Sequence, residues 1–144
     1  MRWTDHLDPS DEALAALRGG VTRLADCGVH WDAVIITPLA RGLAALDILG
    51  LGLDDGHMVI ADRNRQELAV LVPAGSGALG GGAPQGVRLL STGSWLLVPD
   101  MHPGSWAASW LSGPYRGETI YVEVAPLLAA VTAADAERLD GARC

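Results

Sequence analysis

The chain has 144 residues, 49% apolar and 19% charged, which fits a globular protein with one buried core and excludes a disordered chain. All ten basic residues are arginine, phenylalanine is absent, and the net charge of −7 opposes any general grip on a phosphate backbone. No apolar run reaches the roughly 18 residues of a membrane span, and residues 1–10 hold no apolar signal-peptide core, so the expected location is the cytoplasm.

Ser10 is placed to cap a helix whose first turn carries Asp11 and Glu12, where the helix dipole favours negative charge. Leu14, Leu17, Val21 and Leu24 recur at spacings of three and four, which predicts an amphipathic helix over residues 11–24. Gly19 and Gly20 weaken it by about 1 kcal/mol each relative to alanine, so a break there is an alternative, and Gly28 is a stop. Residues 31–36 (WDAVII) read as a short buried strand. Thr37-Pro38 then reads as a cap with proline at the first helical position, opening a second helix through Leu39, Leu43, Leu46 and Leu49 to Gly50 and Gly52.

Residues 57–61 and 66–72 predict a hairpin around the polar turn 62–65. Residues 74–86 (AGSGALGGGAPQG) lack lysine and the phosphate-loop pattern, and read as a flexible connection. Residues 87–90 and 95–98 predict a second hairpin around 91–94. A loop over 99–114, a strand over 119–124 (TIYVEV) and a helix over 126–139 complete the chain. There is no internal repeat and no interior linker. The expectation is a single domain over 1–144, α/β in class with an α+β layout, its helices packed on a mixed or largely antiparallel sheet.

From Trp31 to about Gly113 the order of elements and several local patterns resemble the N-terminal domain of bifunctional DNA primase/polymerases, the prim-pol fold. The stretches that carry the resemblance are WDAVIITPLARG, ELAVLVP and GVRLLSTGSWLLVPDMHPGSW, with Gly93, Trp95, Pro99, His102 and Pro103 in the family's order. The resemblance implies acidic residues that hold divalent metals, because clustered hard oxygens suit Mg²⁺ or Mn²⁺. Where the family has D-x-D, this chain has Ile35-Ile36-Thr37. Glu67 stands near the family's histidine position, and residues 86–94, where a further acid belongs, contain none. The expectation is a degenerate prim-pol relative without polymerase or primase activity, without a metal site and without a cofactor.

The candidate catalytic residues are Glu67, Asp100 and His102, the last two being able to work as base and orienting acid if they face each other. The candidate ligand or partner contacts are Arg88, Trp95, Trp106 and Trp110, because tryptophan and arginine dominate binding surfaces. Arg63, Arg65 and Arg116 join them if they converge with Arg88 on one side of the sheet; solvated surface is the plainer reading, above all for the turn residues Arg63 and Arg65. Asp32 reads as a strand-edge or capping carboxylate and Cys27 as a core residue, while Cys27 and His30 are too few ligands for a metal. Cys144 is the last residue and reads as mobile. The leading function is a non-catalytic binding or regulatory protein that uses a residual cleft or a tryptophan-rich surface for a small molecule, a protein partner or a second copy of itself. A repurposed metal-free enzyme is the alternative, and a DNA-associated accessory factor is a second, which the acidic charge disfavours.

Overall fold

The computed structural model describes residues 2–76, 83–113 and 120–142. A short 3-10 helix (Trp3–Leu7) and α1 (Asp11–Ala15) precede β1 (Thr22–Asp26) and β2 (Trp31–Ile36). Then come α2 (Leu39–Leu49), β3 (Val59–Asp62), β4 (Glu67–Pro73), β5 (Val87–Leu90), β6 (Trp95–Pro99), β7 (Ser109–Ser112) and α3 (Val124–Ala142). The strands form a five-stranded antiparallel sheet ordered β5-β2-β4-β3-β7 and a two-stranded antiparallel ribbon of β1 and β6. The expected α+β layout is therefore present.

The central strands are apolar on both faces, which is what continuous runs such as AVII and LAVLV encode. On one face Val34, Ile36, Val59, Leu68 and Val70 pack against Leu39, Leu43 and Leu46 of α2 and Leu127 and Val131 of α3. On the other face Ala33, Ile35, Ile60, Ala69 and Leu71 pack against Val98 and Ala108, with Ala25, Leu96 and Leu97 beside them. The sheet thus lies between a helical layer and the ribbon. Among the described residues no helix is long and apolar enough to cross a membrane.

Trp3 closes the helical side. It is 1% exposed, its Nε1 donates to the Leu51 carbonyl at 2.9 Å, and its backbone N–H donates to Asp47 at 2.6 Å. Arg41 holds α2 to α3: its Nε and Nη2 donate to the two oxygens of Asp135, each at 2.8 Å, and its Nη1 donates to the carbonyls of Thr37 and Gln85. The pairing raises the Arg41 pKa and lowers that of Asp135, the hydrogen bond between them being the main cause in each case.

Four sequence expectations are corrected. The helix expected over 11–24 ends at Ala15, and residues 22–26 are a strand. Gly19 takes φ +70°, and a Cβ at Gly20 would stand 1.9 Å from the Gly104 carbonyl oxygen, so the glycine pair is a tight crossing that no helix could pass through. The hairpin expected between 87–90 and 95–98 does not form, because β5 pairs with β2 and β6 with β1. The loop expected over 99–114 contains β7, which extends the sheet beside β3. Of the strand expected over 119–124, Ile120 makes a single parallel bridge to His57 and Val124 already begins α3; Thr119 lies outside the described residues.

Gly42 lies in the middle of α2, where its backbone touches β4. A Cβ there would stand 2.7 Å from Leu68 Cδ2 and 2.8 Å from Leu68 Cβ, and Leu68 is fully buried. Gly42→Ala is therefore expected to lose about 1–3 kcal/mol in urea unfolding through overpacking, against the gain of about 1 kcal/mol that the exchange brings in an open helix. A stabilised variant would show that α2 can lift off the sheet.

Candidate functional site

The register of the sheet sets which side chains can meet. Ile36 lies opposite both Leu68 and Val87, Ile35 lies opposite Ala69 and Arg88, and Asp62 lies opposite Glu67. Because alternate residues face alternate sides, Asp62, Glu67 and Arg88 come to the ribbon side at one end of the sheet, next to Thr37 where β2 ends.

Thr37 was expected to cap α2. Instead the cap position is Pro38, which has no side-chain hydrogen bond, and the Thr37 Oγ1 hydroxyl donates to Glu67 Oε2 at 2.9 Å. The first turn of α2 is served by the backbone: Leu39 N–H donates to the Gln66 carbonyl at 2.7 Å, and Gln66 takes φ +55° at the end of the β3–β4 turn. Glu67 also pairs with Arg88, Nη1 to Oε2 at 3.2 Å. The Glu67 side chain is 13% exposed and that of Arg88 55%, so the carboxylate is mostly sheltered while the guanidinium reaches into solvent. An ion pair of this exposure contributes about 0–1 kcal/mol; its importance is in where it stands.

It stands at the mouth of a slot of about 100 Å³ between the sheet and β6. Ile35, Ile60, Ala69 and Leu90 form the sheet wall, Leu96 and Leu97 the ribbon wall, and Asp62, Arg65, Glu67, Arg88, Trp95 and Ala107 complete the lining. Asp62 Oδ1 accepts the Arg65 N–H at 2.8 Å, which fixes the turn that brings Arg65 to the slot. Trp95 is 58% exposed there. The two largest clefts described are chemically plainer. One of about 810 Å³ is lined by Leu53, Asp54, His102, Trp110 and Ser112. The other, about 970 Å³, lies between α2, α3 and residues 84–86, and its Arg41 is already engaged by Asp135 and two carbonyls.

The remaining candidates are dispersed. Asp100 meets Arg23 at 3.8 Å on the ribbon, whereas His102 lines the 810 Å³ cleft with Trp110. Trp110 sits on β7 and packs on the ribbon-side core; Trp106 is 40% exposed in the preceding loop, where its carbonyl accepts the Arg63 N–H at 2.8 Å. Asp32 is buried, and its Oδ2 accepts the Gly75 N–H at 3.1 Å, tying down the end of β4. Cys27 is buried and its thiol is pushed up to about 11, first by burial and then by Asp32 and Asp26, which favours the protonated thiol at neutral pH. Among the described residues no group of three or more His, Cys, Asp or Glu side chains could hold a metal ion. Arg116 and Cys144 lie outside the described residues, as do positions 77–82 of the glycine-rich stretch.

Behind the Asp62–Gln66 turn, the N-terminal 3-10 helix brings His6 against Arg63. His6 Nε2 is buried with no hydrogen-bond partner among the described residues. Its pKa is lowered, first by burial and then by the Arg63 charge, against the opposing pull of Asp5 and Asp47. Burial also lowers the Arg63 pKa.

No family model matches the chain, and neither a curated protein nor a solved structure matches it.

Two outcomes are expected from this geometry. Glu67→Ala leaves Arg88 in water and Thr37 half-exposed, so it should cost about 1 kcal/mol, a fall of about 2–4 °C in Tm for a domain of this size; a fall several times larger in a circular-dichroism melt would mark Glu67 as a structural support. His6 is neutral in the fold at pH values where the unfolded chain would be protonated. Stability is therefore full above the ordinary value of 6.5 and declines as pH falls below it. His6→Asn should flatten the fall in Tm between about pH 7 and pH 5, and an unchanged slope would remove His6 as its cause.

Proposed function

We propose that the chain is a prim-pol-like domain that has given up phosphoryl transfer and works as a non-catalytic binding protein in the cytoplasm, taking a small anionic ligand at the slot between sheet and ribbon. One observation carries the reading. The two segments in which the resembling family places metal-holding acids and the one in which it places a histidine meet at one point, and here they bring a hydroxyl (Thr37), a guanidinium (Arg88) and one carboxylate (Glu67).

Such a set suits an anion better than a pair of divalent cations. A planar guanidinium offers paired donors to phosphate or carboxylate, and Arg65 lines the same slot. Trp95, 58% exposed and beside them, supplies a face for the flat apolar part of a ligand. The ligand must compete with Glu67 for Arg88, and an ion pair this exposed is cheap to open. Acid–base catalysis fits less well, since Glu67 is held by Thr37 and Arg88, and Asp100 is engaged with Arg23 rather than placed to orient His102. A long polyanion is disfavoured by the net charge of −7.

A thermal-shift screen with nucleotides, divalent metals and short single-stranded oligonucleotides tests the reading. A nucleotide at about 100 times its dissociation constant adds about 2.7 kcal/mol, and Arg88→Ala should abolish that shift while leaving the unliganded Tm within about 3 °C of wild type. A shift that survives Arg88→Ala moves the site elsewhere. No primer synthesis or extension is expected with Mg²⁺ or Mn²⁺; template-dependent product would overturn the loss of phosphoryl transfer.

A further inference from the structure

The slot uses one side of the ribbon and leaves the outer edge of β1 unexplained. Cys27 N–H donates to the Ser94 carbonyl at 3.0 Å, and Asp100 N–H donates to the Val21 carbonyl at 2.8 Å. Both pairs continue the β1–β6 register, in which Thr22 lies opposite Pro99 and Asp26 opposite Trp95. In an antiparallel ladder, hydrogen-bonded residues alternate with residues whose polar groups point the other way. The odd-numbered residues of β1 therefore serve β6, and Thr22, Leu24 and Asp26 turn three N–H and three C=O groups away from it. Among the described residues no strand pairs with that side of β1. Natural edges are commonly blunted by proline, a bulge, charge or short length; the five-residue β1 has no proline and an unbroken register, its Arg23 is engaged with Asp100, and beside its Asp26, Leu24 is 62% exposed.

We propose that this edge pairs with the same edge of a second copy of the chain, joining two ribbons into one four-stranded antiparallel sheet about a two-fold axis. The register follows from the free groups. A two-fold axis normal to the sheet keeps each face on its own side, so it pairs residues of equal parity. Centring it on Leu24 sets Leu24 against Leu24 of the second copy and Thr22 against Asp26 in both directions. Every outward N–H and C=O of the two strands is then paired. Leu24 is covered by its counterpart, and each Asp26 carboxylate meets a Thr22 hydroxyl that can donate to it. No carboxylate faces another, which matters for a chain of net charge −7. Moving the axis by one residue sets Leu24 against Asp26 and leaves Thr22 unpaired; moving it by two sets Asp26 against Asp26.

The interface is small, so the dimer is concentration-dependent. Sedimentation velocity from low micromolar to near-millimolar protein should show a monomer–dimer equilibrium. Amide exchange at Thr22, Leu24 and Asp26 should slow as concentration rises, while neighbouring odd-numbered amides stay unchanged. Leu24→Pro removes an N–H that β6 does not use, and should leave a folded monomer. Thr22→Asp sets carboxylate against carboxylate and should weaken the dimer at least tenfold, whereas Thr22→Arg should tighten it. A chain that stays monomeric throughout overturns the proposal. So does a dimer whose Thr22, Leu24 and Asp26 amides exchange at a concentration-independent rate, or one that Thr22→Asp leaves intact. A monomer whose β1 amides are protected only when an extended peptide is added would assign the edge to another protein, and would equally overturn it.

Discussion

The structure depends on a sheet that tolerates water on neither face. β2 and β4 carry Val34, Ile36, Leu68 and Val70 to one side and Ala33, Ile35, Ala69 and Leu71 to the other, all of them buried. At about 25 cal/mol per Å² of apolar surface, leaving either side open would sacrifice the driving force for folding. The helical cover is built from α2, α3 and Trp3. The opposite cover is the thin ribbon of β1 and β6, too narrow to span the whole sheet. Where it falls short, the slot opens.

That shortfall explains why charge collects there. Residues of one parity must face the ribbon, and at the uncovered end those positions are Asp62, Glu67 and Arg88. A fully buried ion pair would carry a desolvation cost of several kcal/mol per ion. This one keeps its arginine half in solvent and shelters only the carboxylate, which Thr37 and Arg88 both contact. The arrangement is close to neutral in energy and is therefore easily rearranged around an incoming anion.

Much of this was legible in the sequence, and the failures have separate causes. The runs WDAVII and ELAVLVP declared themselves as strands because double-sided burial writes an unbroken apolar stretch. β1 was hidden because Leu14, Leu17, Val21 and Leu24 keep helical spacing across a break: the helix ends at Ala15, Gly19 takes a positive φ, and the strand begins at Thr22. The turn at 91–94 looks like a hairpin turn, yet the free edge of β2 captures β5 and leaves β6 to β1. Trp3 was missed because a single tryptophan among polar neighbours has no periodicity, and its partners Asp47 and Leu51 are distant in the chain. Glu67 and Arg88 could be singled out one at a time, but their meeting with Thr37 needed the register of three strands, and Thr-Pro before a helix mimics a cap.

The absence of lysine acquires a meaning at Arg41. One rigid guanidinium holds α3 through Asp135, the end of β2 through the Thr37 carbonyl, and the exit of the glycine-rich stretch through Gln85. A lysine has no planar fork with which to satisfy all of them at once. The C-terminal helix and the threonine at the slot are thus fastened to a single planar group. They should open and close as one cooperative unit rather than fray independently, so the slot inherits its rigidity from the far side of the sheet.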